Sequence, residues 1–227
     1  MLIVATRNPH KLAELQSLLA PVAAPIISVS EFADIPEVVE DRDTLEGNAL
    51  KKAEETAQRL RERSAPRPFI VLADDSGLEV DALGGAPGVF SARFAEYEGA
   101  FPNRNGGTGV PPVNSSLPKS TRKVTYHDNN EKLLRLLRDV PDDKRTARFR
   151  CVIALATSDG RKEIVEGVCE GKIIREERGA QGFGYDPLFV PDGYDKTYAE
   201  LGNEIKDRIS HRGRAIEGVK GMLKSLI

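Results

Sequence analysis

The chain has 227 residues, 40% of them hydrophobic, enough for one sizeable core or for two lobes that share a sheet. Its 33 basic and 35 acidic residues leave a formal charge of -2. That excludes the broad positive field that would steer a protein to a nucleic-acid duplex or an anionic membrane, so an anionic ligand must be held locally.

The opening MLIVATRNPHK has only a short apolar run before polar residues, and no later segment reaches the roughly eighteen apolar residues of a membrane span. A cytoplasmic protein with no membrane or nucleic-acid partner is therefore expected. Leu2-Ile3-Val4-Ala5 reads as a short buried strand. Leu12, Leu15, Leu18 and Leu19 then predict a helix from Lys11 that covers one face of a sheet. The link Thr6-Arg7-Asn8-Pro9-His10 is a strand-to-helix turn. Pro9 suits a first helical turn, so the amides beyond it and the side chains of Thr6, Asn8 and Lys11 are candidates to converge on a phosphate.

Ile26 to Val29 reads as a second strand, followed by an acidic, irregular stretch through Asp43. Leu50, Ala53, Ala57 and Leu60 mark the inner face of a second helix that ends before Pro66 and Pro68. The run Phe69-Ile70-Val71-Leu72-Ala73 is a third, buried strand. Two strand-helix units feeding a third strand imply α/β organisation. Residues 98 to 124, rich in Gly, Pro, Asn and Ser, read as an inserted flexible loop.

Order resumes with a helix around Asn130 to Arg138, carrying Leu133, Leu134, Leu136 and Leu137 inward. Arg148 to Thr157 and Lys162 to Cys169 predict a hairpin about Asp159-Gly160, and so an antiparallel part of the sheet. A two-residue turn there sets Cys151 opposite Val168 and turns the two cysteines to opposite faces, so no disulfide is expected. Gly179 to Pro187 is too rich in glycine for a regular element. Leu188-Phe189-Val190 is a short strand, and a last helix from His211 or Arg212 turns Ile216, Val219, Leu223 and Leu226 inward.

The chemistry centres on Asp74-Asp75-Ser76-Gly77, at the end of the buried third strand. Adjacent carboxylates on extended backbone point apart, so a turn at Asp75-Ser76-Gly77 is expected if they share a cation. The same residues also suit an Asx turn or a helix cap. Glu37, Glu40, Asp41 and Asp43 form a second acidic group able to add a carboxylate, and an all-oxygen donor set favours magnesium. Such a site points to a phosphate ester or anhydride, with one carboxylate deprotonating a water. Lys11, Arg93, Lys172, Lys196 and Arg212 lie in or beside turns, where each is either a phosphate ligand or a solvated surface charge. Phe183, between Gly182 and Gly184, has a face available to stack on a base with Asp186 near its edge, or else plugs the core while Asp186 caps the turn. His211 and Arg212 follow Ser210, which also suits a helix cap. No phosphate-binding Gly-Lys-Ser/Thr loop, dinucleotide fingerprint, zinc spacing or nucleophile elbow is present.

Five segments in order, Ala5-Thr6-Arg7-Asn8 with Lys11 and Glu14, Ala73-Asp74-Asp75-Ser76-Gly77-Leu78, Leu83-Gly84-Gly85-Ala86-Pro87-Gly88 with Ser91-Ala92-Arg93, Gly182-Phe183-Gly184-Tyr185-Asp186-Pro187 and Ser210-His211-Arg212-Gly213, span nearly the whole chain. Together they resemble the inosine triphosphatase family of noncanonical purine nucleoside triphosphate pyrophosphatases. The resemblance implies a homodimeric α/β protein, a single domain over residues 1 to 227, with a long mixed central sheet flanked by helices and two lobes with a cleft. It implies magnesium-dependent hydrolysis of ITP, dITP and XTP to the monophosphate and pyrophosphate, removing deaminated purines from the nucleotide pool.

By the same resemblance Thr6, Asn8, Lys11 and Lys196 would grip the triphosphate, and Arg7 and Ser76 would bind the substrate. Glu40 and Asp75 would carry the metal with Asp74 nearby, and Asp75 would act as general base. Phe183, with Gly184 and Tyr185 beside it, would stack on the purine, while Asp186, His211 and Arg212 read its edge. Donors facing a 6-keto oxygen would be left unpaired by adenine, which discriminates against ATP. Two features depart from the family pattern. Thr44-Leu45-Glu46-Gly47-Asn48-Ala49 has its glutamate one place early, about 100° around a helix from the usual position. The other departure is the insertion after Arg93. A Maf-like pyrophosphatase of different base specificity, or a sensor that binds nucleotide without turnover, are the rival readings.

Overall fold

The computed structural model describes residues 1–20, 25–63, 68–97 and 124–226. The expected loop over 98 to 124 lies, except for Val124, outside the described residues, and so does the inward position of the Leu226 side chain. Among these residues a six-stranded mixed sheet has the order β2-β1-β3-β4-β5-β6. β1 (Leu2–Val4) pairs in parallel with both β2 (Ile26–Ser28) and β3 (Ile70–Val80). β4 (Thr146–Thr157) and β5 (Lys162–Ile173) form the hairpin, and β5 pairs antiparallel with β6 (Phe189–Pro191). The helices are α1 (Pro9–Leu19), α2 (Leu45–Glu62), α3 (Tyr126–Leu136), α4 (Tyr198–Ile209) and α5 (His211–Leu226). No helix among the described residues is long and apolar enough to cross a membrane.

The chain divides into two compact units. Unit 1 comprises Met1–Asp75, Cys151–Val168 and Ser210–Ile227, and its core joins Leu2, Val4 and Leu72 of the sheet with Leu15 and Leu19 of α1 and Ala215, Ile216, Val219 and Leu223 of α5. Leu15, Leu19, Ile216, Val219 and Leu223 are among the periodic apolar positions that the sequence marks on the two helices. Unit 2 comprises Ser76–Arg150 and Cys169–Ile209, with Leu78, Val80, Phe149, Phe189, Tyr185 and Tyr198 packed against Leu133 and Leu137. The six strands match the expected mixed sheet. The boundaries move because tertiary contacts extend them, so that β4 begins at Thr146 and β5 runs to Ile173.

Four expectations are corrected. No turn interrupts Asp75-Ser76-Gly77, since β3 continues through all three residues to Val80. Gly77 is not needed for a positive φ. A Cβ there would stand 2.4 Å from the carbonyl oxygen of Gly88, so the missing side chain serves a close backbone approach within unit 2. The third helix starts at Tyr126 rather than near Asn130, because Thr125 and Asp128 form a capping box. α4 was not expected at all, being polar and broken at Gly202, whose φ is 77°. Finally, the β4-β5 hairpin closes with the Thr157 N–H donating to the Arg161 carbonyl at 3.0 Å, one residue away from the register of a two-residue turn. Both cysteines are buried and outside any disulfide, but the face assignment that led to that expectation does not hold.

Gly77→Ala is expected to lower stability by about 1–3 kcal/mol through this overpacking, with an unchanged urea m-value. An unaltered denaturation midpoint would mean that the Gly88 turn yields at no cost.

Candidate active site

In unit 1 the site is built on the middle of β3. Extended backbone turns Asp74 and Asp75 to opposite faces, and each finds different partners. The Asp74 carboxylate is buried and its Oδ2 receives Lys11 Nζ at 3.2 Å and Arg212 Nη2 at 3.0 Å. Arg212 Nη1 also donates to Glu14. Lys11 and Glu14 come from α1 and Arg212 from the first turn of α5, so one buried carboxylate draws two helices onto the strand. Burial alone would raise the pKa of Asp74, but Lys11, Arg212 and Lys52 outweigh it and hold the group far below the ordinary carboxylate range. Arg212 is shifted up by its carboxylates against its own desolvation.

On the other face, Lys52 of α2 stands between carboxylates. Its Nζ donates to Glu40 Oε1 at 2.8 Å and to the Asp74 backbone carbonyl at 2.6 Å, and it lies 3.6 Å from Asp75 Oδ1. Desolvation opposes its charge, yet Asp75, Glu40 and Asp74 raise its pKa above the usual lysine value. Glu40 is held in place by its neighbours as well as by Lys52. Lys51 donates to the Val39 carbonyl at 2.8 Å and pairs with Asp41, and Asn48 Oδ1 accepts from the Arg42 N–H at 2.9 Å. Desolvation pushes Glu40 up, but Lys52 and Lys11 bring it down on balance. Asp75 differs, because burial is the largest effect and its pKa is raised despite both lysines. Two adjacent carboxylates are thus driven apart in acidity, the pattern that separates a fixed charge from a proton acceptor.

The remaining candidates of unit 1 divide. Asn8 caps α1, its Oδ1 accepting from the His10 and Lys11 amides at 3.0 and 3.3 Å, so those donors are satisfied within the turn. Thr6 Oγ1 accepts from the Asn8 N–H at 3.2 Å, and Arg7 donates to the Ile35 carbonyl. His211 is buried at the start of α5. Both terminal guanidinium nitrogens of Arg212 are on carboxylates, which makes it an anchor of α5. Glu37 and Asp43 of the acidic stretch are exposed. At position 47 a Cβ would lie 2.9 Å from Arg42 Cβ, so Arg42 fills the space a larger residue would need.

In unit 2 the glycine loop centres on Asp186. Its Oδ2 accepts from the Phe183 N–H at 2.8 Å and from Lys206 Nζ at 2.6 Å, the ion pair being almost wholly buried. Lys206 Nζ also stands over the half-buried Phe183 ring, 4.7 Å from its centroid. Asp186 therefore sets the loop and Lys206 alike. The Gly184 carbonyl accepts from Asn130 Nδ2 at 3.2 Å, and Tyr185 donates its hydroxyl to the Ser91 carbonyl at 3.0 Å. Ser76 is half-buried at the start of this unit's part of β3. Lys196 is exposed in the turn between β6 and α4.

Lys52 and Lys206 are functional candidates that sequence reasoning missed. A signal existed for Lys52, which falls on the stripe Leu45, Ala49, Ala53, Thr56, Leu60 that α2 buries. A lysine on an apolar stripe needs a carboxylate to meet it.

Magnesium is the metal these oxygen donors would suit. Among the described residues, no group of three or more His, Cys, Asp or Glu side chains forms a ready-made cage. Asp75 Oδ2 is nevertheless buried with no hydrogen-bond partner, and Glu40 and Asp75 already share one cation, Lys52. A small hard cation, if bound here, would draw on these carboxylate oxygens.

Fold and site together define an α/β protein with paired carboxylates set among buried cations. The profile of the Ham1 family matches residues 2–108 and 105–222, and the chain belongs to that family. It is 46% identical over 225 residues to the dITP/XTP pyrophosphatase of Desulforamulus reducens, a match covering 99% of this chain and 96% of the relative. Identity to the dITP/XTP pyrophosphatase of Clostridium perfringens is 42%, covering 99% and 98%. The structure of a HAM1 protein from Coxiella burnetii matches with a TM-score of 0.75 at 36% identity, over 99% of this chain and 98% of that one. A nucleoside-triphosphatase / dITP/XTP pyrophosphatase from Mycobacterium abscessus gives 0.67 at 37% identity, covering 96% and 97%.

Asp74→Asn is expected to cost about 3–5 kcal/mol at neutral pH, because Lys11 and Arg212 lose their buried counter-charge. Since the folded pKa of Asp74 is depressed, its contribution is present above the unfolded value of about 3.9 and fades as pH falls below it. Urea midpoints of wild type and variant should therefore converge in acid, and a gap that stays constant with pH would refute the ion-pair account.

Proposed function

We propose that this protein hydrolyses noncanonical purine nucleoside triphosphates, ITP, dITP and XTP, to the monophosphate and pyrophosphate, and so clears deaminated purines from the nucleotide pool. The observation that carries the reading is the pair Asp74-Asp75, one carboxylate clamped by cations and the other buried with a free oxygen. The names of the relatives supply the substrate class. Magnesium would be held by Glu40 and Asp75, with Asp74 nearby, and when bound would neutralise phosphate oxygens and stabilise the charge shifted in transfer.

Asp75 acts as general base. Its unpartnered oxygen takes a proton from water, the water oxygen bonds to the α-phosphorus, and the bond from that phosphorus to the bridging oxygen breaks, its electron pair leaving with pyrophosphate. The raised pKa of Asp75 makes it a better proton acceptor than Asp74, which stays charged. Lys11 and Lys52 offset negative charge at the phosphates, with Thr6, Arg7, Asn8, Ser76 and Lys196 as further phosphate ligands. Phe183 stacks on the base, with Gly184 and Tyr185 shaping its loop and Asp186 fixing the ring. His211 donates to the 6-keto group, an interaction that adenine cannot satisfy. The family resemblance supports a homodimer working in the cytoplasm.

Pyrophosphate release from dITP, XTP, GTP, ATP and dTTP, with magnesium or with EDTA, tests this reading. Release is expected from dITP and XTP only, to require magnesium, and to fall by about 10²–10⁴-fold in Asp75→Asn. Equal release from all five nucleotides, or an active Asp75→Asn, would overturn it.

A further inference from the structure

We infer that Tyr126 is a second aromatic contact for the base, set beside Phe183 and deciding how tightly the purine is held. This rests on the proposed role of Phe183 as the stacking platform. The two rings lie within unit 2 with centroids 6.0 Å apart and planes inclined at 45°. That is too close for a base to slide between them as a sandwich, which needs roughly 7 Å, but the inclination makes an open corner of two π surfaces. Lys206 stands over the Phe183 ring at 4.7 Å, so the platform already has a cation on it, and a base must use what remains of the ring together with whatever borders it.

Three observations show that Tyr126 is held at this corner. It is the first residue of α3, and the reciprocal capping box of Thr125 and Asp128 fixes that end of the helix. One helical turn on, at i+4 and so on the same face, Asn130 donates to both the Gly184 carbonyl at 3.2 Å and Glu177 Oε1 at 2.6 Å. The helix face that carries Tyr126 is thereby tied to the loop that carries Phe183. Lastly, the tyrosine is 39% exposed, so part of it remains accessible beside Phe183. A purine laid on Phe183 would cover that surface, and every base has a π face to offer it.

The test compares Tyr126→Ala, Tyr126→Phe and Phe183→Ala by steady-state hydrolysis of dITP, with inorganic tripolyphosphate as a competitive inhibitor that has no base. Tyr126→Ala is expected to raise KM by about 5- to 150-fold, the range for loss of one base-aromatic stack, and to leave kcat within about 2-fold. Tripolyphosphate inhibition should be unchanged, and Tyr126→Phe should restore the KM. If Phe183→Ala raises KM and Tyr126→Ala does not, the role of Tyr126 is overturned and the base platform stands. If neither raises KM, the platform itself is wrong. Weakening of tripolyphosphate in parallel with dITP in Tyr126→Ala would mark a structural effect and also overturn the inference.

Discussion

The buried carboxylate of Asp74 is the constraint on which unit 1 depends. A carboxylate taken wholly out of water is tolerable only with counter-charge and hydrogen bonds around it. Lys11 and Arg212 supply both, and each brings a helix with it. The apolar stripes of α1 and α5 define which faces of those helices are buried, while the ion pairs define where along the strand their ends come to rest. Glu14 then neutralises what remains of the Arg212 charge. Position in the site and stability of the unit are consequently one property.

Asp75, one residue on, shows how little backbone separates two electrostatic environments. The strand turns neighbouring side chains to opposite faces, so Asp74 meets Lys11 and Arg212 whereas Asp75 meets mainly Lys52. A turn, as the sequence suggested, would have put both carboxylates in one environment and tended to equalise them. The continuous strand keeps them distinct. Lys52 meanwhile links Asp75 to Glu40, holding two like charges close together through a cation they share.

Much of this was legible in the sequence, for physical reasons. Leucines at helical spacing identified α1, the apolar positions Ile216, Val219 and Leu223 identified α5, and uninterrupted apolar runs identified β1 and the first half of β3. Position within those elements was harder. Asp-Asp-Ser-Gly has turn composition, and only the approach of the Gly88 backbone reveals that Gly77 is there to be small. α4 hid behind its charges and its kink at Gly202. Lys52 and Lys206 resemble surface lysines until a carboxylate is found opposite each. That pairing spans 12 to 23 residues for Lys52 and 20 for Lys206, beyond the reach of any local pattern. The same limit applies to Asp186, whose oxygen proved to be committed to its own loop.

Unit 1 is assembled from three separate stretches of chain, and the contact between Asp74 and Arg212 spans 138 residues. During synthesis Asp74 therefore emerges long before its arginine, and all of unit 2 is made in between. Until α5 arrives, β1 and β3 lack the apolar cover of Ala215, Ile216, Val219 and Leu223, and Asp74 lacks the Arg212 guanidinium. Contacts of such long range are slow to form, and the incomplete unit exposes strand surface meanwhile. The nascent chain thus passes through an interval in which β3 exists without the helix that locks it.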